Sequence, residues 1–156
     1  MTSHKAWRLY LDFDGVLNNE PFLRHQRNHV PVEEHRLFDP ENVEAANLLC
    51  RGLPVASIVI TSSWREDRTL GELQVLLRDA GFGFSQLLVG ATARLGDRTR
   101  EIREHRAGAV RSECLVLDDE ALGELAGCHV IRTSTSRGLD RELVSRVLLR
   151  LRPGED

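Results

Sequence analysis

Short apolar runs and amphipathic stretches take turns along the chain. Residues 7–13, "WRLYLDF", are mostly large apolar side chains, too few for a helix and rich in strand formers, and they predict a buried strand. From residue 39 the rhythm changes. Asp39 is a good N-cap, Pro40 suits the first helical position, Val43, Ala46, Leu49 and Cys50 recur on one face, and Gly52 is placed to close the helix as a C′ residue. Residues 54–64, "PVASIVITSSW", read as a second strand ending near Thr61, apolar enough for burial on both faces, as in a parallel sheet. Residues 65–82 predict a helix with Leu70, Leu73, Leu76 and Leu77 inward and Gly81 at its end; Gly71 weakens it by about 1 kcal/mol relative to alanine. A short strand over 84–90, a highly charged helix over 97–108 and a strand over 112–120 ending in acids follow. Then come a short helix over 120–127, a strand over 128–133 and a closing helix over 138–152. Alternation of this kind predicts an α/β fold on a doubly wound parallel sheet. The stretch 18–38, polar and interrupted by Pro21 and Pro31, predicts irregular chain. It reads as a short lid-like insertion in a single domain of residues 1–156.

Composition narrows the choices. A chain of 156 residues suits one domain with a real core. A net charge of −3 supplies no global basic field for nucleic acid, so any such contact must come from a local face. The three cysteines, Cys50, Cys114 and Cys128, have the spacing of neither a zinc site nor a disulfide framework, and Cys114 and Cys128 read as small buried hydrophobes. No segment approaches the roughly 18 apolar residues of a membrane span. The first residues reach aspartate too soon for a signal peptide's apolar region, so a cytoplasmic protein without a membrane partner is expected.

The chemistry gathers at strand ends, where open α/β sheets bind ligands. The first predicted strand delivers Asp12 and Asp14, the second Thr61 and Ser62, and the strand over 112–120 delivers Asp118 and Asp119. Four carboxylates at one sheet edge repel each other unless a cation sits among them. Hard oxygen ligands with open positions suit Mg²⁺. Alternation along an extended strand places Asp12 and Asp14 on one side and Phe13 on the other, and Gly15 lets the chain turn away. One carboxylate can then attack while the other exchanges a proton.

These stretches resemble the motifs of the haloacid dehalogenase-like (HAD) phosphatase superfamily. "LDFDGVLN" resembles its first motif, Asp-x-Asp-Gly; "SIVITSS" its second, an apolar strand ending in Thr or Ser; and "CLVLDDE" its fourth, an apolar strand followed by paired acids. The third motif is a Lys or Arg at a helix start, for which Arg98 and Arg100 in "GDRTREI" are the candidates. With "ITSSWR", the Arg98 to Ile102 segment and the T-S-x-x-x-G-L pattern of residues 133–139, nearly the whole chain resembles a small subgroup, found alone or fused in so-called Swiss-army-knife RNA repair proteins. The resemblance implies a HAD-like Rossmannoid with minimal or no cap domain, because residues 18–38 and the chain between the second and third motifs are too short to fold into one. It also implies phosphoryl transfer through an aspartyl-phosphate. Asp12 would attack phosphorus and Asp14 would serve as acid and then base. Thr61 and Arg98 would hold the phosphoryl oxygens, with Ser62 as the rival hydroxyl. Gly15 and Arg65 complete the expected substrate-binding set. Mg²⁺ would be held by Asp12, the Asp14 main-chain carbonyl and Asp118, with Asp119 direct or through water. An open site favours a large phosphorylated substrate, such as a nucleic-acid end or a phosphoprotein, or a partner that closes it; RNA-repair partner proteins follow from family context alone.

Other features have plainer readings. Arg24, His25, Arg27, His29, His35 and Arg36 could guide a phosphate backbone across the lid-like stretch, but Glu20, Glu33 and Glu34 dilute them. His25 and His29 have a metal-like spacing without an intervening glutamate and read as loop histidines. "GFGF" at 81–84 ends a helix and is not a dinucleotide fingerprint. Trp64 either packs under the site or faces substrate. A small-metabolite or protein phosphatase is the rival enzyme, and a phosphate-end-binding module without turnover is the rival of another class. Pure binding has no need of Asp14, which argues against the module.

Overall fold

The computed structural model describes residues 6–28, 32–108 and 113–152. Strands β1 (Trp7–Leu11), β2 (Val55–Ile60), β3 (Leu88–Ala91), β4 (Glu113–Asp118) and β5 (Cys128–Arg132) form one five-stranded sheet in the order β3-β2-β1-β4-β5. Every pairing is parallel. Parallel neighbours need crossovers, and the helices supply them: α2 (Pro40–Gly52) joins β1 to β2, α3 (Leu70–Asp79) joins β2 to β3, and α4 (Arg98–Ala107) joins β3 to β4. Helix α5 (Arg141–Leu151) follows β5.

Period-two alternation sorts each strand between two cores. Leu9, Leu11, Ile58, Ile60, Leu115 and Leu117 face the larger one, with Val43 and Leu49 of α2, Leu73 and Leu77 of α3, and Val144 and Val147 of α5. Tyr10, Val59, Cys114 and Val116 face the smaller, covered by Ile102 of α4 and by Leu125. The central strands are therefore buried on both faces, which is why Leu9–Leu11 of β1 and Cys114–Leu117 of β4 are unbroken apolar runs. The doubly wound expectation holds, and the strand order reverses between β1 and β4. That switch point is where an open α/β sheet leaves a crevice beyond its strand ends.

Several local expectations are corrected. The stretch 18–38 is not wholly irregular: α1 (Glu20–Arg27) forms there, capped by the Asn19 side chain accepting from Phe22 N–H, and a 3-10 turn spans Glu34–Leu37. Helix α1 buries no residue, so no apolar stripe announces it. The helix expected from residue 65 begins at Leu70, where Thr69 and Glu72 form a reciprocal capping box. The helix expected over 120–127 is absent: that stretch is loop, with Leu122 and Leu125 packed on the smaller core. Gly52 ends α2 inside the helix rather than past it, and a Cβ there would meet Leu148 of α5 at 2.6 Å. Its use is close helix packing, not a left-handed cap. Cys128 is only half-buried, and its Sγ stands 2.7 Å from that of Cys114, its register partner across β4 and β5.

Candidate active site

Strand β1 ends at Leu11, so Asp12 is the first residue past it. Its main-chain N–H still continues the ladder, donating to Leu117 O at 3.2 Å, and this draws Asp12 against the end of β4. Asp12 and Thr61 continue the alternation of Tyr10 and Val59, and Asp118 ends β4 on the Val116 side, so all three carry the parity of the face that α4 covers. Phe13, one residue on from Asp12, is fully buried in the opposite core. Strand alternation is thus the device that aims Asp12.

Asp14 is aimed differently from the expectation. The chain has already turned, with Val16 and Leu17 N–H both donating to Phe13 O, and the Asp14 side chain is exposed on that turn. Its Oδ1 accepts from Asn18 Nδ2 at 3.0 Å and its Oδ2 from Trp64 Nε1 at 3.2 Å. Of the two readings left open by the sequence, the packing one is seen for Trp64. It packs on Phe13 and Phe38, at centroid distances of 5.9 and 5.1 Å, and it presents its N–H to the site.

Asp12, Asp118 and Asp119 offer oxygen atoms that all lie within 4.8 Å of one another. The Asp14 carboxylate is not part of this group; its expected route to a cation was the main-chain carbonyl. Gly15 makes the group possible. Its φ is +78°, and a side chain there would run into the Asp119 carboxylate. Gly15, in the expected substrate-binding set, donates its N–H to Asn18 Oδ1 at 3.0 Å, and its carbonyl accepts from Thr133 Oγ1 at 2.5 Å.

Arg98 opens α4, after Asp97 caps the helix by accepting from Arg100 N–H. Its Nη1 lies 2.8 Å from Asp118 Oδ2, 3.4 Å from Asp12 Oδ1 and 3.4 Å from Thr61 Oγ1. Arg100 points away, to Glu104 at 3.0 Å on the exposed side. The two arginines are separated by the helical rotation of about 200° between residues two apart. Of the two hydroxyls, Thr61 faces Arg98, whereas Ser62 turns its oxygen to Trp64 N–H at 3.3 Å and caps the 3-10 turn Ser63–Arg65.

Arg65, expected in the substrate-binding set, is held within the protein. Its side chain is 6% exposed and fully engaged: Nε donates to Thr92 O, Nη1 to Thr61 O and Ser62 O, and Nη2 to Glu101 at 2.9 Å. It ties the end of β2 to α4, and its donors go to main-chain carbonyls and to Glu101. Sequence reasoning treated Glu101 only as motif spacing. The structure buries it between Arg65 and Arg98, with Leu95 N–H donating at 2.8 Å. The i,i+3 relation of Arg98 and Glu101 on a helix was the available signal. Asn18 and Thr133 were given no role, although Asn18 closes the first-motif stretch and Thr133 opens the T-S-x-x-x-G-L pattern.

The electrostatics follow from burial. Desolvation and then the neighbouring Asp118 charge push the Asp12 carboxyl up from 3.8 to about 8, against the pull of Arg98. Asp118 is raised too, chiefly by burial. Burial works against the Arg98 charge, but Asp12 and then Asp118 outweigh it and raise the guanidinium's pKa. One arginine does not balance the acids, and a donor set made only of carboxylate oxygens fits a hard divalent cation. On either side lie hollows. One of about 550 Å³ runs between the start of α4 and residues 120–123, and one of about 510 Å³ lies along Arg132–Ser136 beside Asp119.

Acids of the lid-like stretch pair with three of its cations. Arg24 pairs with Glu20 at 2.6 Å, while His35 and Arg36 pair with Glu33 at 3.4 and 4.0 Å. His29 lies outside the described residues. Among the described residues no helix is long and apolar enough to cross a membrane.

A parallel sheet in this order, acids beyond β1 and β4 at its switch point and an arginine from the crossover helix define a HAD-type domain, a class that performs hydrolase chemistry of the phosphatase type. A family model described as "HAD domain in Swiss Army Knife RNA repair proteins" matches residues 8–144, and the chain belongs to that family. No curated protein and no solved structure matches it.

Proposed function

We propose that the protein is a Mg²⁺-dependent phosphohydrolase that works through an aspartyl-phosphate on Asp12, with nucleotide or nucleic-acid terminal phosphates as substrates in an RNA-repair setting. The observation that carries this reading is the single locus formed by Asp12, Asp118 and Asp119, with Arg98 3.4 Å from the Asp12 carboxylate. Asp12 attacks phosphorus. Arg98 and Thr61 hold the phosphoryl oxygens as charge redistributes. Asp14, on the next turn, protonates the leaving oxygen and later takes a proton from the hydrolytic water. Asp12, Asp118 and Asp119 are the side chains that would hold Mg²⁺, which when bound supplies the positive charge that keeps buried carboxylates ionised and offsets the phosphoryl oxygens. The terminal-phosphate substrate and RNA-repair partner proteins follow from the family's description and from an uncovered site.

The test is a phosphate-release screen with Mg²⁺ across 3′- and 5′-phosphorylated RNA and DNA ends, mononucleotides, sugar phosphates and phosphopeptides. Release from nucleic-acid ends, its loss with EDTA and its return with Mg²⁺ are expected. Asp12→Asn should abolish release while the protein stays folded, because the carboxamide keeps the shape without the nucleophile. Turnover near the wild-type rate by that variant would remove the covalent mechanism. Release confined to sugar phosphates or phosphopeptides would transfer the protein to the rival phosphatase readings.

A further inference from the structure

We propose, resting on the phosphatase reading above, that Trp64 together with Asn18 is a positioning residue that fixes the Asp14 carboxylate for proton transfer to the leaving group. An exposed aspartate on a turn is ordinarily free to rotate. Here each oxygen of Asp14 receives one N–H, from Asn18 Nδ2 at 3.0 Å and from Trp64 Nε1 at 3.2 Å. The two donors come from different parts of the chain, so the carboxylate plane is held from both sides.

Both donors are themselves immobilised. Asn18 is fully buried, and its Oδ1 is occupied by Gly15 N–H at 3.0 Å. The Trp64 ring packs against buried Phe13 and Phe38, and its main-chain N–H donates to Ser62 Oγ. The Arg68 guanidinium lies over the indole, 5.0 Å from the ring centroid. Arg68 is clasped in turn by Glu34 of the lid-like stretch at 2.8 and 3.3 Å, and by the Trp64 carbonyl at 3.2 Å. An indole has a single N–H donor. Here that donor is given to the Asp14 carboxylate.

The chemistry gives that bond its use. As Asp12 Oδ bonds to phosphorus, the bridging P–O bond breaks and its electron pair goes to the leaving oxygen. Asp14 gives its proton to that oxygen and becomes a carboxylate, which the two N–H donors stabilise where it forms. Fixed geometry is what makes such a transfer efficient, and misplacement by about 1 Å costs on the order of a hundredfold.

Leaving groups that are stable as anions do not need the proton, and this separates positioning from a general structural role. Phosphate release would be measured with a nitrophenyl phosphate and with an alkyl phosphate, comparing kcat/KM, which reports steps up to formation of the phospho-enzyme. Trp64→Phe keeps the ring and removes the donor. It should lower kcat/KM for the alkyl substrate by about tenfold or more, the scale of one hydrogen bond to a charged group. The nitrophenyl value should stay within about twofold, well under the factor that 1.4 kcal/mol produces. Trp64→Leu, which also lacks the N–H, should show the same selectivity and serves if Trp64→Phe does not fold. Equal losses on both substrates, or no loss on the alkyl substrate, would overturn the role. An active wild type with uniform losses overturns the positioning role alone. A wild type that releases phosphate from neither substrate overturns the phosphatase reading and this role with it.

Discussion

Asp12 is a carboxylate whose charge the fold opposes, and that opposition is measurable. Burial and Asp118 raise its pKa from 3.8 to about 8. The folded protein then holds a proton that the unfolded chain has released, so this group's contribution is fully present below 3.8 and is lost as pH rises through about 8. In EDTA the melting temperature should fall across that window, and the fall attributable to Asp12 should vanish in Asp12→Asn. Mg²⁺ should raise the melting temperature more at about pH 8 than at about pH 6, because protons no longer compete for the ligands. A melting temperature in EDTA with the same pH dependence in wild type and Asp12→Asn would contradict this account. Arg98 makes the opposite case, a cation held by acids. Arg98→Ala should lower turnover by about a hundredfold or more under saturating Mg²⁺, the cost of one charge-stabilising contact. Arg100→Ala, which removes only an exposed pair with Glu104, should change it little. Turnover of the two variants, with folding checked by thermal melts, decides the assignment, and the reverse ranking would move the role to Arg100.

At the scale of elements, the site depends on loops tied to one another as much as on strands. Leu139 N–H donates to Val16 O, Asn42 Nδ2 donates to Arg137 O and Leu139 O, and Glu20 N–H donates to Thr135 O. These bonds lash residues 133–139 to the turn that carries Asp14, to the start of α1 and to α2. Gly138 sits at the closest point, with φ +66° and a space in which a Cβ would meet Asn42 Oδ1 at 2.6 Å and Asn18 O at 2.8 Å. Gly138→Ala should therefore cost about 1–2 kcal/mol of backbone strain plus about 1–3 kcal/mol of overpacking. Gly81→Ala is the control, because its φ is +96° but nothing lies within 4 Å, so only the strain applies. Denaturant melts of the pair test this, and equal losses would show that the close approach costs nothing. The same contrast explains what could be read from sequence. Central strands were legible because burial on both faces leaves an unbroken apolar run, and the acids at their ends followed. Arg98 was legible as a helix start. Helix α1 was not, since it packs nothing into the core. Leu122 and Leu125 carry a helical spacing that the loop satisfies without a helix. Asn18, Glu101 and Trp64 act on Asp14 or Arg98 through contacts that only the folded chain creates, apart from the Arg98–Glu101 spacing. The Thr69–Glu72 capping box was present in the sequence and marks the start that periodicity alone placed too early.

For the whole molecule, the decisive feature is what stands over the acids. Among the described residues the first insertion point holds only α1 and one 3-10 turn, and between the second and third motifs lie α3, two 3-10 turns and β3. Neither builds a separate folded layer, and the hollows beside Asp119 and Arg98 open outward on both sides. A site of this kind should not exclude substrate by size. The lid's pairs of Arg24 with Glu20 and Arg36 with Glu33 are exposed and contribute little, so long-range charge should not discriminate strongly either. The expected outcome is that a mononucleotide and an oligonucleotide bearing the same terminal phosphate give kcat/KM values within about tenfold of each other, a difference of about 1.4 kcal/mol. Measuring both at two salt concentrations separates steering from fit, since steering by exposed charges weakens beyond the Debye length as salt rises. A mononucleotide preferred by several powers of ten would mean that the acids work inside a closed pocket. The described residues do not supply such a wall, so the oligomeric state in solution would then be measured to test for a second subunit over the acids.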